Sequence, residues 1–370
     1  MPKAEILDDL SAIKKIDKGN MLSFCVDAAK HCEEAAKLAE YVDLGYPKPE
    51  EIIVAGMGGS AISGELLKDW ARERIAVPIE VCREYSLPAY ASRKTLVFVI
   101  SYSGETEESL SVYLDAVKRK CMVICISSGG TLQKFAEKMK VPHLIVPSGI
   151  APRAALPYLF VPLPTFLEKL DLVSGVRAEI SETLNLLKVV GAANAPDKPL
   201  KQNFSKKLAL DICGTVPVIY GFGIYRAVAQ RLKQQFNENS KIPSKWESFP
   251  ELNHNEIVGW ESAKEFAKLF SVIFLRDACE PEAIRERIVA TQELISKASA
   301  KTFEIHGNGR SVLARMLSAI CVGDLVSVYL AILRGLDPTP VKTIAFLKER
   351  LKRVGVKEKV ISALQKLVNN

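Results

Sequence analysis

The chain has 370 residues, 48% of them hydrophobic and 25% charged, with an aromatic share of only 7%. At roughly 150 residues per domain this leaves room for two domains with real cores, and the composition excludes wholesale disorder and fibrous repeats. Lys+Arg 50 against Asp+Glu 43 gives a formal charge of +7. That excess is spread along the chain rather than gathered into a basic arm, so it argues for an anionic small substrate at least as well as for nucleic acid.

From the amino end, residues 1–45 alternate charged and apolar groups at helical spacing and stop at Gly45-Tyr-Pro-Lys-Pro49, which predicts a helical extension and a linker. The opening Met-Pro-Lys-Ala-Glu-Ile lacks the charged, apolar, small order of a signal peptide, so none is expected. From Glu51 the texture changes to short apolar runs, and residues 52–55, 79–82, 95–100, 122–126 and 143–146 read as strands with helical patterns between most of them. Strands without strict alternation, separated by helices, predict a parallel sheet buried on both faces.

Residues 151–200 join the halves, largely as helix, and the pattern then recurs. Residues 216–220 open a second unit, with Gly221-Phe-Gly223 where the first has Gly56-Met-Gly58, and residues 269–275 and 301–305 continue it. A weak internal duplication follows. Residues 311–333 are apolar enough to suggest a membrane span, but Arg315 and Asp324 lie within them. Uncompensated charge at bilayer depth is costly, so a helix buried in the core or at an interface is expected instead. The eight cysteines sit mostly in apolar runs and form no CxxC pair, which predicts buried free thiols in a reducing cytoplasm rather than a metal or redox site.

Chemistry in an open parallel sheet gathers beyond the carboxyl ends of the strands. The first such loop is Gly56-Met-Gly58-Gly59-Ser60-Ala-Ile-Ser63-Gly64, after a strand and opening a helix. Glycines there let backbone N–H groups approach an anion, and the helix start adds a favourable dipole. Gly56-x-Gly58-x-x-Ala61, with Glu80 downstream, also fits a dinucleotide fingerprint. The second loop, Ser101-Tyr-Ser103-Gly104-Glu105-Thr106, brings hydroxyls at 101, 103 and 106 to another helix start. One hydroxyl would serve as a helix cap. Three form a nest for a phosphate monoester, which a dinucleotide enzyme has no evident need of.

The pair GMGGSAISGE and SYSGETEES resembles the sugar isomerase (SIS) domain. Three further stretches, Pro152-Arg153-Ala-Ala-Leu156, Asn237-Glu238-Asn239-Ser-Lys241 and Glu251-Leu-Asn253-His254-Asn255-Glu256, are similar to the bifunctional phosphoglucose/phosphomannose isomerases, in the same order and over roughly residues 45–350. The resemblance implies two doubly wound, flavodoxin-like α/β/α sandwich domains of SIS type behind a helical N-terminal extension. The expected division is 1–45 extension, 46–165 phosphate-binding SIS domain, 166–200 helical connector, 201–335 second SIS domain and 336–370 C-terminal helical segment. It also implies a cytoplasmic homodimer with shared active sites that interconverts glucose 6-phosphate or mannose 6-phosphate with fructose 6-phosphate. No metal, no cofactor, no nucleic acid and no membrane enter that expectation.

Aldose–ketose isomerisation needs an anion site, a group to open the ring, a base to move the C2 proton to C1, and positive charge beside the enediolate. The resemblance assigns Gly58, Gly59, Ser60, Ser101, Ser103 and Thr106 to the phosphate and Glu238 to the base. It gives His254 the ring opening, reaching the partner subunit's site, and Arg153 the enediolate charge. By themselves these residues have plainer readings: a solvated Glu at a helix end, a structural His and a surface Arg. A functional lysine is expected near the C-terminus, Lys348 first and Lys342 second, and Thr339 is a candidate for admitting the C2 epimer. The second half lacks a matching nest, since Ile224-Tyr225-Arg226 stand where the first has Gly59-Ser60-Ala61, so it is expected to donate catalytic groups instead. Rival readings are a phosphosugar-sensing regulator, for which the acidic N-terminal segment makes a poor DNA-binding element, and a dinucleotide-dependent oxidoreductase.

Overall fold

The computed structural model describes residues 4–298 and 300–369. Three helices come first: α1 (Leu10–Ile16), α2 (Met21–Val26) and α3 (Ala28–Glu40). Next come β1 (Glu51–Ala55), α4 (Gly59–Ala71), β2 (Ile79–Cys82), β3 (Thr95–Ile100), α5 (Glu107–Lys118), β4 (Met122–Ser127), α6 (Gly130–Lys138) and β5 (His143–Ile145). The connector holds α7 (Leu156–Phe160), α8 (Pro162–Lys169) and α9 (Val176–Ala193). The second half runs α10 (Phe204–Asp211), β6 (Val216–Phe222), α11 (Arg226–Glu238), β7 (Lys245–Phe249), α12 (Lys264–Ala267), β8 (Phe270–Arg276), α13 (Glu282–Lys297), β9 (Lys301–His306) and α14 (Val312–Leu333). Two helices, α15 (Lys342–Lys352) and α16 (Val356–Asn369), follow.

The chain folds into two compact units, each with its own parallel sheet. The sheet A unit comprises His31–Ala178 and the segment beginning at Val341; the sheet B unit comprises Glu179–Pro340 and the segment ending at Lys30. The expected helical amino-terminal segment is present; its α2 packs on α14, and α3 from His31 onward belongs with the sheet A unit. There the Tyr158 hydroxyl donates to Glu34 at 2.7 Å, and Lys169 Nζ reaches the carbonyls of Ala39, Glu40 and Val42 at the end of α3.

Sheet A has the order β2-β1-β3-β4-β5, all parallel, with Ile53 opposite Val97 and Val97 opposite Val123. Every residue of β3 and β4 is buried, as expected of strands covered by helices on both faces. This order is the flavodoxin-like one, not the 3-2-1 order of a dinucleotide fold. Glu80 also departs from the dinucleotide reading: it sits inside β2, opposite Ile53, and accepts from the Tyr90 hydroxyl.

Sheet B repeats the order one strand short, as β7-β6-β8-β9. Its edge strand β7 has no counterpart among the strands read from sequence. Lys245-Trp-Glu-Ser-Phe249 is exposed or half-buried except at Phe249, so its polar residues hide the strand signal.

The apolar helix α14 is the core of the sheet B unit, 94% buried over its most apolar window and packed on α2, α10 and α11. Both of its charges are compensated: Arg315 pairs with Asp277 at 2.9 Å, and Asp324 with Arg231 at 2.8 Å. Gly323 permits the close approach to α11, because a Cβ there would lie 2.5 Å from Leu232 Cγ. All eight cysteines are free thiols; Cys279 departs from the buried expectation and is exposed.

Candidate active site

In sheet A, the strand order reverses between β1 and β3, and a ligand of such a sheet binds outside the carboxyl ends at that point. Both predicted loops leave those two strands. A Cβ on Gly56 would meet Ile100 O at 3.0 Å, which shows how closely they run together. Gly58, with φ +49, is the N-cap position of α4, and Ser60 lies in that helix's first turn, 7% exposed. Thr106 is the N-cap of α5, yet its side chain takes no capping bond. Instead its Oγ1 lies 2.9 Å from Ser101 Oγ, while Ser103 stays exposed and its Oγ accepts from Glu105 N at 3.2 Å. Two helix starts and a set of hydroxyls thus meet at one crevice, the requirement for an anion cradle.

The second loop is braced from behind by the β4–α6 turn. Tyr102 O accepts from Ser128 N and Oγ at 2.8 and 2.7 Å, and Gly104 O accepts from Leu132 N at 3.0 Å. Only glycine fits at 104: its φ is +65, and a Cβ would stand 1.9 Å from Gly129 O. Glu105, which sequence reasoning did not single out, carries the brace further, accepting from Thr131 N at 2.7 Å and Thr131 Oγ1 at 3.0 Å.

Arg153 joins this group. Its turn lies against the first loop, since a Cβ on Gly59 would be 3.4 Å from Arg153 Cα and 3.0 Å from Pro152 O. The residue is only 2% exposed, so the surface-Arg reading does not hold. A guanidinium stays charged when buried, and the backbone that carries this one packs against the glycine loop. Lys342 and Lys348 both lie on α15 and are exposed, Lys342 as its first residue.

The remaining candidates belong to the sheet B unit. Glu238 is the last residue of α11 and half-buried. Its motif is anchored on both sides: Asn239 Nδ2 donates to Ser327 Oγ at 2.9 Å, Ser240 Oγ donates to Ser327 O at 2.6 Å, and Lys241 Nζ bridges the carbonyls of Glu238 and Pro338. The same bridge brings Thr339 beside the Glu238 motif; Thr339 N donates to Asp337 Oδ1 at 3.0 Å.

His254 ends a short turn after β7 and is exposed. Its flanking asparagines are structural: Asn253 Nδ2 donates to Thr291 Oγ1 at 2.9 Å and Asn255 Nδ2 to Glu251 Oε1 at 2.7 Å. They fix the turn while the imidazole stays outside. Glu238 and His254 stand toward opposite ends of the sheet B strands, before and after β7. Helix α11 returns antiparallel to β6 over 13 residues, about 20 Å, so Glu238 lies by the amino edge, whereas His254 follows the carboxyl end of β7. A cleft of about 510 Å³ beside Trp260 and Lys264 is lined by none of the predicted site residues.

A parallel sheet of this order with a hydroxyl- and glycine-lined crevice defines a flavodoxin-like α/β protein with a cradle suited to an anion. Residues 46–148 match the SIS domain model, and residues 201–351 match that of the bacterial phospho-glucose isomerase C-terminal SIS domain. The bifunctional phosphoglucose/phosphomannose isomerase of Caldicellulosiruptor bescii is 42% identical over 82% of this chain and 90% of its own length. That of Aquifex aeolicus is 35% identical over 82% and 90%. The chain belongs to this family. Its fold matches a crystallised hypothetical protein of Thermus thermophilus with a TM-score of 0.73 at 15% identity, over 95% of this chain and 94% of the other.

Proposed function

We propose that the protein is an aldose–ketose isomerase that interconverts glucose 6-phosphate and mannose 6-phosphate with fructose 6-phosphate. The observation that carries this reading is the crevice at the β1–β3 switch point, in a chain of this family. The backbone of Gly58 and Gly59 and the hydroxyls of Ser60, Ser101, Ser103 and Thr106 hold the phosphate. Glu238 moves a proton between C2 and C1, and Arg153 stabilises the enediolate charge. His254 exchanges a proton with the ring oxygen, a task suited to an imidazole, whose ring nitrogens can both give and take a proton. Lys348 on α15, or Lys342, supplies a further cation, and Thr339 helps admit the second epimer.

The separation of Glu238 and His254 across sheet B favours a homodimer in which base and ring-opening acid come from different copies of the chain. Free, mostly buried thiols fit a cytoplasmic protein. Dual specificity follows from the intermediate: a planar cis-enediol has lost its C2 stereochemistry, so one base can return the proton to either face after rotation about C2–C3.

Incubation with fructose 6-phosphate, a chelator and no nicotinamide nucleotide is expected to yield both aldoses. A single aldose would defeat the dual-specificity account. No product at all, with the protein folded, would defeat the isomerase reading.

A further inference from the structure

We infer that Lys357, on the last helix of the chain, is a positioning residue for the phosphate loop, acting through Glu105. The inference rests on the reading of Ser101–Thr106 as that loop. Lys357, Val360 and Leu364 are spaced to share one face of α16. Val360 and Leu364 are 7% and 0% exposed and pack into the sheet A core with Val112, Tyr113, Leu132 and Phe135. The helix is thereby fixed on α5 and α6, the two helices that begin at the phosphate loop and at its brace. One turn before Val360, Lys357 Nζ makes a short ion pair with Glu105 Oε2. Thr131 holds the same carboxylate, its N–H donating to Oε1 and its hydroxyl lying 3.0 Å from both oxygens. Burial alone would raise the Glu105 pKa, but the bonds from Lys357 and Thr131 outweigh it and hold the carboxyl below its ordinary value.

The chemistry makes this pair more than a brace. Glu105 is a full negative charge inside a loop meant for a phosphate dianion, flanked by Gly104 and Thr106. Left unpaired, it would repel the ligand and release the loop from its anchor. Lys357 removes both effects, neutralising the carboxylate and turning it toward α6 and α16. Both side chains remain partly exposed, 33% for Lys357 and 39% for Glu105, so water screens the interaction and the effect is moderate.

The test is steady-state kinetics with fructose 6-phosphate, with inorganic phosphate as competitive inhibitor. Lys357→Ala is expected to raise both KM and the phosphate Ki about threefold to fivefold, with kcat changed less than about twofold and an unaltered melting temperature for the sheet A unit. Lys357→Arg should restore both constants. Adding Glu105→Gln to Lys357→Ala should lower the phosphate Ki again, since the uncompensated charge is gone; a purely structural pair predicts a further rise. If Lys357→Ala leaves KM and Ki unchanged while Ser103→Ala raises them, the positioning role is overturned and the loop reading stands. If Ser103→Ala and Thr106→Val also leave both unchanged, the loop reading falls first. A fall in kcat at constant KM overturns the role of Lys357 as well.

Discussion

The two switch points, β1–β3 in sheet A and β6–β8 in sheet B, start from the same topology and end in opposite chemistry. In sheet A, the loops present glycine, serine and threonine, and the one acidic side chain among them is neutralised. In sheet B, the loop after β6 brings in Tyr225, fully buried, where the other unit has the start of an open cradle. Its hydroxyl fills the space beside Gly307, where a Cβ would come within 2.0 Å, and burial with the nearby Asp277 charge pushes its pKa far up. The loop after β8 offers Asp277 and Glu280 in place of hydroxyls, held by Arg315 at 2.9 Å and Arg276 at 2.6 Å. That crevice is filled by an aromatic ring and two arginine-paired carboxylates, which leave no hydroxyl nest like that of sheet A. A duplicated sheet thus keeps its architecture while only one copy keeps open loops lined with glycine and hydroxyls. The contribution of the other copy is expected at its amino edge, where Glu238 is held.

The sharpest way to break this division is Glu238→Gln. Loss of a positioned general base is expected to lower kcat about 10²–10⁴-fold, with the phosphate Ki unchanged, because the proposed anion cradle is built from sheet A residues alone. Steady-state turnover and phosphate inhibition on the folded variant measure the two effects separately. A variant that keeps its turnover, or loses phosphate binding, would erase the distinction between a binding unit and a catalytic one.

Arg315→Met probes the other crevice. Asp277 has a side chain only 1% exposed, and Arg315 is its ion-pair partner. Removing one member of a buried pair leaves an uncompensated charge and costs about 3–5 kcal/mol. Denaturant unfolding should show that loss in the sheet B unit, while KM for fructose 6-phosphate stays constant. The opposite outcome, a changed KM at constant stability, would mean that the second crevice works as a ligand site.

Much of this contrast is legible in the sequence, and what is not has physical causes. The glycine–hydroxyl loops announce themselves because a phosphate cradle needs special backbone and special side chains at adjacent positions. Bulky Ile224-Tyr225-Arg226 equally announces the filled crevice. Strand β7 escapes because an edge strand need not be apolar, and Trp246, Glu247 and Ser248 are all half-buried. Glu105 reads as an acid near a helix start, which is a common capping residue, while its partners Thr131 and Lys357 are set by tertiary packing that no local pattern encodes. Arg153 looks like a surface charge because arginine is rarely so buried; only the turn against Gly59 reveals it. The division of the N-terminal helices between the units is likewise a property of packing, since α1, α2 and α3 look alike in periodicity.

The smallest expected effect concerns the back of the sheet A crevice. Ser127 Oγ donates to Gly129 O at 2.9 Å and lies 2.9 Å from the Nε2 of His143. Burial lowers the His143 pKa below its ordinary value of 6.5. A protonated ring would carry charge at Nδ1, which is buried without a hydrogen-bond partner among the described residues. The unfolded chain then binds the proton first as pH falls. The stabilisation is complete above the unfolded value, and it declines below 6.5 until the lower folded pKa is reached, by at most about 1.4 kcal/mol per pH unit. Thermal unfolding between pH 7.5 and about 5 should show this decline in the wild type and a flatter profile in His143→Gln. Because the turn at Gly129 braces the loop proposed to hold the phosphate, the same acid limb should appear in phosphate affinity. An identical pH profile in both proteins would detach His143 from the crevice it supports.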